Sequence, residues 1–460
     1  MTTRLIVIGA DAAGMSAASQ ARRRRGADDL EILAFERGNF VSYSACGIPY
    51  FVGDVVEDID RLVVRTPEEF LAKQQIEAKT RHEVVSIDLD AGKVVVRHLD
   101  TGDEATEGFD LLMYAAGGKP VRPDLPGVDS LGVFGVQILD DGIAIERWIE
   151  DEKPQHAVVI GGGYIGIEMA EAFIQRGLKV SLVERGPEPM STLDPDMGAL
   201  IREALTEEGV DVYTQEAATG FETENGRVSA VTTDKRTLHA DIVTLGLGTR
   251  PNSPLARDAG LAIGPSGGVV VDRRMQTNTD GVWSAGDCAE KFHLVSRRSV
   301  AIALGTHANK EGRVAGINIG GGYATFPGVL GTAVSKLCGV EVARTGLKEK
   351  EALDAGFAFE TVTVDSTTRA GYFPGTQPIK TKLIVEKRSG RLLGAQIIGK
   401  ENAGKRIDAL AVALWNEMTV AEMLNMDLSY APPFAPVWDP VLIAARKAYE
   451  LVEASASEVR

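Results

Sequence analysis

The sequence predicts an α/β fold built on one repeated unit, followed by a third region of strands and helices. Three observations carry this. An apolar run of strand length, a glycine-rich turn, a small-residue helix and a second apolar strand ending in an acid occur at residues 4–36 and again at 157–184. A turn of Ala285, Gly286 and Asp287 follows a short strand, far from both copies. From about residue 326 the pattern changes to alternating strands such as KTKLIVEK, then to amphipathic helical stretches near 403–424. With 460 residues, the chain has length for several buried cores.

The first unit reads RLIVIGADAAGMSAASQARRRRGADDLEILAFE. Its turn holds Gly9, Ala13 and Gly14, and its second strand ends in Glu36 and Arg37. The second unit reads AVVIGGGYIGIEMAEAFIQRGLKVSLVE, with Gly161, Gly163, Tyr164, Ile165 and Gly166 in the turn and Glu184 and Arg185 at the end. Such glycines let a backbone approach a pyrophosphate, the helix start supplies N–H groups, and the acid accepts from ribose hydroxyls. Two copies, each with its acid about 20 residues on, predict two dinucleotide sites. Among the three glycine positions of the turn the copies differ at one: Asp11 stands where the second has Gly163. Glu184 suits NADH, because a carboxylate repels a 2′-phosphate, whereas Arg185 attracts one. Either NADH or NADPH is therefore admitted, with NADH expected to serve at least as well.

Composition narrows the partners. Lys+Arg number 49 and Asp+Glu 65, a net charge of −16, which gives no bulk footprint for nucleic acid or an anionic membrane. No apolar run is long enough to span a bilayer, and the N-terminus lacks a signal-cleavage pattern. The three cysteines, Cys46, Cys288 and Cys338, are far apart. This excludes a disulfide scaffold, offers no metal motif and fits a reducing cytoplasm. The tail ASASEVR is expected to fray.

Cys46 lies in VSYSACGIPY. Small neighbours, Gly47 and Pro49 predict a thiol at a helix N-terminus, where the dipole is expected to lower its pKa. Cys288 and Cys338 are expected to be packing residues. Val41 and Phe51 stand five residues either side of Cys46, so no second thiol is at hand.

The 285–287 turn resembles the second flavin signature of two-dinucleotide flavoproteins. AAGGKP at 115–120 and GLGTRP at 246–251 resemble the crossings between their domains. With Cys46, the whole chain resembles the single-cysteine branch of the pyridine nucleotide–disulfide oxidoreductases. That resemblance implies two Rossmann-like domains and a C-terminal α+β dimerisation domain. FAD is expected on 1–117 with 250–325, NAD(P) on 118–249, and dimerisation through 326–460. It implies FAD contacts from Gly9, Ala13, Gly14, Glu36, Arg37, Ala116, Gly117 and Asp287. NAD(P) is expected on the second turn, Glu184, Arg185 and Gly248.

The branch holds coenzyme A-disulfide and persulfide reductases, NADH oxidases and NADH peroxidases. Oxidases and peroxidases carry a His in the first turn where this chain has Ala12, and YAPPF before an Asp-Pro is typical of the reductases. The resemblance therefore implies an NAD(P)H-dependent reductase of coenzyme A disulfide or persulfide, working as a homodimer. Cys46 is its expected redox residue, with Tyr430 and Tyr372 expected as catalytic tyrosines. Coenzyme A contacts are expected from Ser16, Gln20, Arg23 and Ser42, and the run Arg22–Arg25 either holds its phosphates or is a solvated helix end. Phe373, Ala45 and Trp438 depart from the branch's pattern. The alternatives are an NAD(P)H oxidase or peroxidase, and a flavoprotein electron donor to a protein carrier.

Overall fold

The computed structural model describes residues 2–458, with side chains through 455. Two five-stranded parallel sheets and one five-stranded antiparallel sheet organise the chain. The first contains β1 (Thr3–Ile8), followed by helix α1 (Ala12–Arg22) and β2 (Leu30–Phe35). In space its order is Val282–Ser284, Leu111–Tyr114, β1, β2, Ile76–Lys79. This sheet therefore draws strands from both sides of the second one. The second sheet runs Asp211–Thr214, Lys179–Glu184, His156–Ile160, Ile242–Leu245, Val133–Gly135. Its central strands are buried on both faces, as a parallel sheet covered by helices requires.

The internal repeat extends well beyond the two motifs. In each copy a three-stranded antiparallel meander, 82–108 or 218–239, precedes the last central strand. In each copy an Asp opens that strand and holds the start of the first. Asp110 Oδ2 accepts the Arg4 amide at 2.7 Å. Asp241 Oδ2 accepts the Gln155 and His156 amides at 2.9 Å each. The two copies are then joined by a ribbon in which Gly118–Pro120 pairs antiparallel with Thr249–Pro251.

Small residues bring the helices close. A Cβ added at Gly312 would stand 2.3 Å from the Ala13 carbonyl oxygen, and one at Gly316 would stand 2.3 Å from that of Ala17. The helix Gly305–Ile319 thus crosses α1 in backbone contact, which places the chain following Asp287 beside the first glycine turn. The third sheet, formed by strands between Ala333 and Gly399, packs the helices Ala403–Trp415 and Pro440–Glu458 on its apolar face. The tail departs from expectation, because the last helix continues to Glu458; Val459 and Arg460 lie outside the described residues. Among the described residues no helix is long and apolar enough to cross a membrane.

Candidate functional site

The two glycine turns are superposable in their bonding. Glu36 accepts the Ala10 amide through Oε2 at 3.0 Å and the Gly38 amide through Oε1 at 2.8 Å. Glu184 accepts the Gly162 amide at 2.8 Å and the Gly186 amide at 2.6 Å in the same way. Each acid is thereby held at the carboxyl end of its sheet, across the turn from the helix start. Gly9 and Gly161 have φ of +92° and +97°, and a Cβ would strike the neighbouring strand's carbonyl oxygen at 2.2 and 2.5 Å. Each cradle offers backbone N–H groups and a strand-end carboxylate, the fit a dinucleotide needs, and the first also carries the Asp11 carboxylate. Arg185 and Arg37 are exposed beside their acids, Gly248 lies in the crossing with φ +83°, and Ala116 and Gly117 are bonded to Asn252.

The Asp287 turn sits directly on the first cradle. A Cβ at Gly286 would stand 2.9 Å from that of Ala13. Beneath the turn lies an ion pair with both side chains fully buried, Lys291 and Glu311, at 3.6 Å. Glu311 Oε2 accepts the Gly286 amide at 2.9 Å, and Lys291 Nζ donates to the Gly286 and Ala289 carbonyls at 2.8 and 3.2 Å. Burial raises the Glu311 carboxyl to about 7, against the pull of Lys291. Neither side chain was visible as a site residue from sequence, since each is an ordinary charge in a helix or strand pattern.

Cys46 occupies a single 3-10 turn, Ala45–Gly47, that leads into α2 (Ile48–Val52) with Pro49 in its first turn. It is exposed, whereas Cys288 is fully buried and bonded to the Ala285 carbonyl at 3.3 Å. Cys338 sits in a tight turn with φ +50°, its thiol pushed up to about 12 by burial. The helix-start expectation for Cys46 fails in one respect: its thiol is raised, not lowered. Desolvation is the largest cause, then the carboxylates of Glu168, Asp287 and Asp11, opposed only by a backbone N–H. A five-residue helix has too little dipole to outweigh three acids.

Glu168 was not anticipated. It lies on the second unit's helix, Tyr164–Gln175, accepts the Ser335 hydroxyl at 2.7 Å, and is itself raised by burial. It thus brings the second unit and the third domain to the cysteine. Glu168→Gln removes the strongest charge opposing the thiolate. The Cys46 pKa should fall, and the iodoacetamide rate in reduced protein should rise on the acid side of the profile. An unchanged profile would place Glu168 outside the thiol's field.

Tyr372 and Tyr430, 58 residues apart in sequence, share a hydrogen bond that raises the Tyr430 phenol. Both are exposed, Tyr372 at 77%, in a face that also shows Phe434, Val437 and Trp438. Ser16, Gln20 and Arg23 form one partly exposed stripe along α1, with Ser16 bonded to Asn309 at 2.8 Å and Arg23 to Gln20 at 3.3 Å. The stripe ends at a pocket of 340 Å³ lined by Arg22, Arg23, Arg65 and Lys73 with Gln74 and Gln75. The Arg run divides here. Arg22 spends its guanidinium on the Leu30, Gln74 and Gln75 carbonyls, and Arg25 pairs with Asp29 at 2.7 Å. Arg23 and Arg65 are in no ion pair among the described residues. Arg65 and Lys73 arrive from other elements, which the sequence did not connect with α1.

One other cluster, His156, His239 and Asp241, lies at the amino end of the second sheet, away from both cradles, with its carboxylate already bonded to two backbone amides.

A family model described as pyridine nucleotide-disulphide oxidoreductase matches residues 3–312, and that of the dimerisation domain of the same group matches 332–440. The chain is 40% identical over 443 residues to the NAD(P)H sulfur oxidoreductase (CoA-dependent) of Pyrococcus abyssi, covering 96% of this chain and 97% of that one. It is 31% identical to the coenzyme A disulfide reductase of Staphylococcus aureus, covering 97% and 99%. The solved NAD-dependent persulfide reductase from A. fulgidus is similar over 98% of this chain and 84% of that one, with a TM-score of 0.95 and 36% identity.

Proposed function

The chain belongs to the pyridine nucleotide-disulphide oxidoreductases, and from that premise we propose that it reduces coenzyme A disulfide or persulfide with NAD(P)H through Cys46. The observation that supports this most is one exposed thiol facing Glu168 of the second unit and Asp287 and Asp11 beside the first cradle, with no second cysteine in its loop. For the disulfide the balance is NAD(P)H, a proton and coenzyme A disulfide giving NAD(P)+ and two thiols. FAD, when bound, supplies the two-electron relay between nicotinamide and sulfur.

The chain's own residues then have separable tasks. Gly9, Gly14 and Glu36, with Asp287, hold the flavin dinucleotide on 1–117 and 250–325. Gly161, Gly166 and Glu184 hold NAD(P)H on 118–249. The Cys46 thiolate attacks the disulfide and keeps one half as a mixed disulfide, releasing the first thiol. Reduction of that mixed disulfide releases the second and restores the thiolate. Ser16, Gln20, Arg23 and Ser42, joined by Arg65 and Lys73, bind coenzyme A, the cations facing its phosphates. Tyr430 and Tyr372 serve the Cys46 of the opposite chain in a homodimer, their hydroxyls able to protonate a leaving thiol.

Mass spectrometry of intact protein before and after reductant tests this reading. A coenzyme A increment on Cys46, removed by NADH, is the expected result. An increment of one oxygen would favour the oxidase reading instead.

A further inference from the structure

The two cradles agree in the bond that leads out of each. Ser42, with φ +48°, donates its amide to the Ala10 carbonyl at 3.0 Å. Met190, with φ +57°, donates its amide to the Gly162 carbonyl at 2.7 Å. They differ at the next step. In the second copy Gly163 offers no side chain to the chain that follows. In the first, Asp11 Oδ1 accepts the Tyr43 amide at 3.1 Å.

Asp11 does not disturb the turn it occupies. Both Asp11 and Gly163 are N-cap residues with negative φ, −111° and −74°, so neither backbone requires glycine. A Cβ at Gly163 would meet nothing nearer than 3.9 Å. The Asp11 carboxylate makes no cap bond to its own helix and turns instead to the loop. The loop needs holding there. Ser42 is left-handed without being glycine, a conformation that persists only where bonds over-determine it. Its carbonyl accepts the Val64 amide and Leu62 accepts that of Ser44, each at 2.8 Å, so Asp11 supplies the remaining tie three residues before Cys46.

We propose that Asp11 is a positioning residue whose carboxylate fastens the Tyr43 amide and so fixes the Cys46 loop on the first cradle. This rests on the reading of Cys46 as the redox thiol. The side chain replaces a glycine that the cradle can do without, and it appears only in the copy that carries a reactive loop.

Asp11→Gly makes the first turn match the second, and Asp11→Asn keeps the acceptor without the charge. Both are compared with wild type as flavin-loaded protein. Three readouts apply: flavin per chain, the long-wavelength charge-transfer absorbance of a thiolate against oxidised flavin, and turnover with coenzyme A disulfide. Asp11→Gly should keep its flavin and be reduced by NADH within about twofold of wild type. It should lose the charge-transfer absorbance and at least about tenfold in turnover, since displacements of about 1 Å cost that much or more. Asp11→Asn should restore both to within about threefold. Wild-type absorbance and turnover in Asp11→Gly would overturn the inference. So would loss of flavin, which assigns Asp11 to the cradle, or an Asn variant as poor as the Gly one, which makes charge the cause. Wild-type protein without coenzyme A disulfide turnover fails the functional reading alone, because the absorbance still compares the three proteins.

Discussion

Cys46→Ser should reduce turnover with coenzyme A disulfide to background while NADH still bleaches the flavin absorbance at close to the wild-type rate. The two half-reactions use different parts of the chain. On the proposed assignment hydride delivery depends on the second cradle, with Gly161, Gly166 and Glu184, whose bonds and close contacts lie within that cradle. Disulfide reduction depends on a sulfur that can exchange. A serine hydroxyl does not exchange with a disulfide and is not ionised near neutrality. No other thiol can take over, because Cys288 is fully buried against Tyr114 and Ala285, and Cys338 sits in the third domain with a raised pKa. Stopped-flow bleaching should stay within about tenfold of wild type, about 1.4 kcal/mol of barrier. Wild-type disulfide turnover by the serine variant would make Cys46 a packing residue.

The second large effect is expected at the buried pair beneath the flavin turn. Lys291→Met leaves Glu311 fully buried without its cation, and removing one partner of such a pair costs about 3–5 kcal/mol. It also frees the Gly286 and Ala289 carbonyls that Lys291 bonds. The variant should melt earlier and lose flavin on gel filtration. Lys291→Met combined with Glu311→Gln removes the stranded charge, yet Gln still offers an oxygen to the Gly286 amide. The double variant should recover most of the stability. If it is no better than the single one, the carbonyl bonds of Lys291 matter more than the charge.

The cysteine loop shows where local sequence stops being informative. VSYSACGIPY correctly placed a thiol before a helix, because Pro49 and the small residues are local signals. The direction of its pKa shift is not local. It is set first by burial of the thiol in the folded chain, then by Glu168 from the second unit, Asp287 from the far side of the inserted domain and Asp11 from the first turn. The same holds for the basic pocket. Arg23 is legible on α1, but Arg65 and Lys73 join it only because Ile76–Lys79 pairs with β2 and brings the preceding helix alongside.

The sequence by itself determined the repeated unit, its two acids, the third domain and the lone cysteine of the helix-start loop. Each of these is a periodicity or a residue type demanded by backbone geometry: a glycine at φ near +90°, an acid at a strand end, an alternation along a strand. The tertiary structure alone decided which charges meet. It set Lys291 under Glu311, Glu168 toward Cys46, Tyr372 against Tyr430 and Asp11 on the Tyr43 amide. Of these, Glu168 and Cys46 stand 122 residues apart, and Asp287, which also faces Cys46, lies 241 residues from it. No local propensity encodes such a separation; it follows only once the strands that flank the inserted domain close into one sheet.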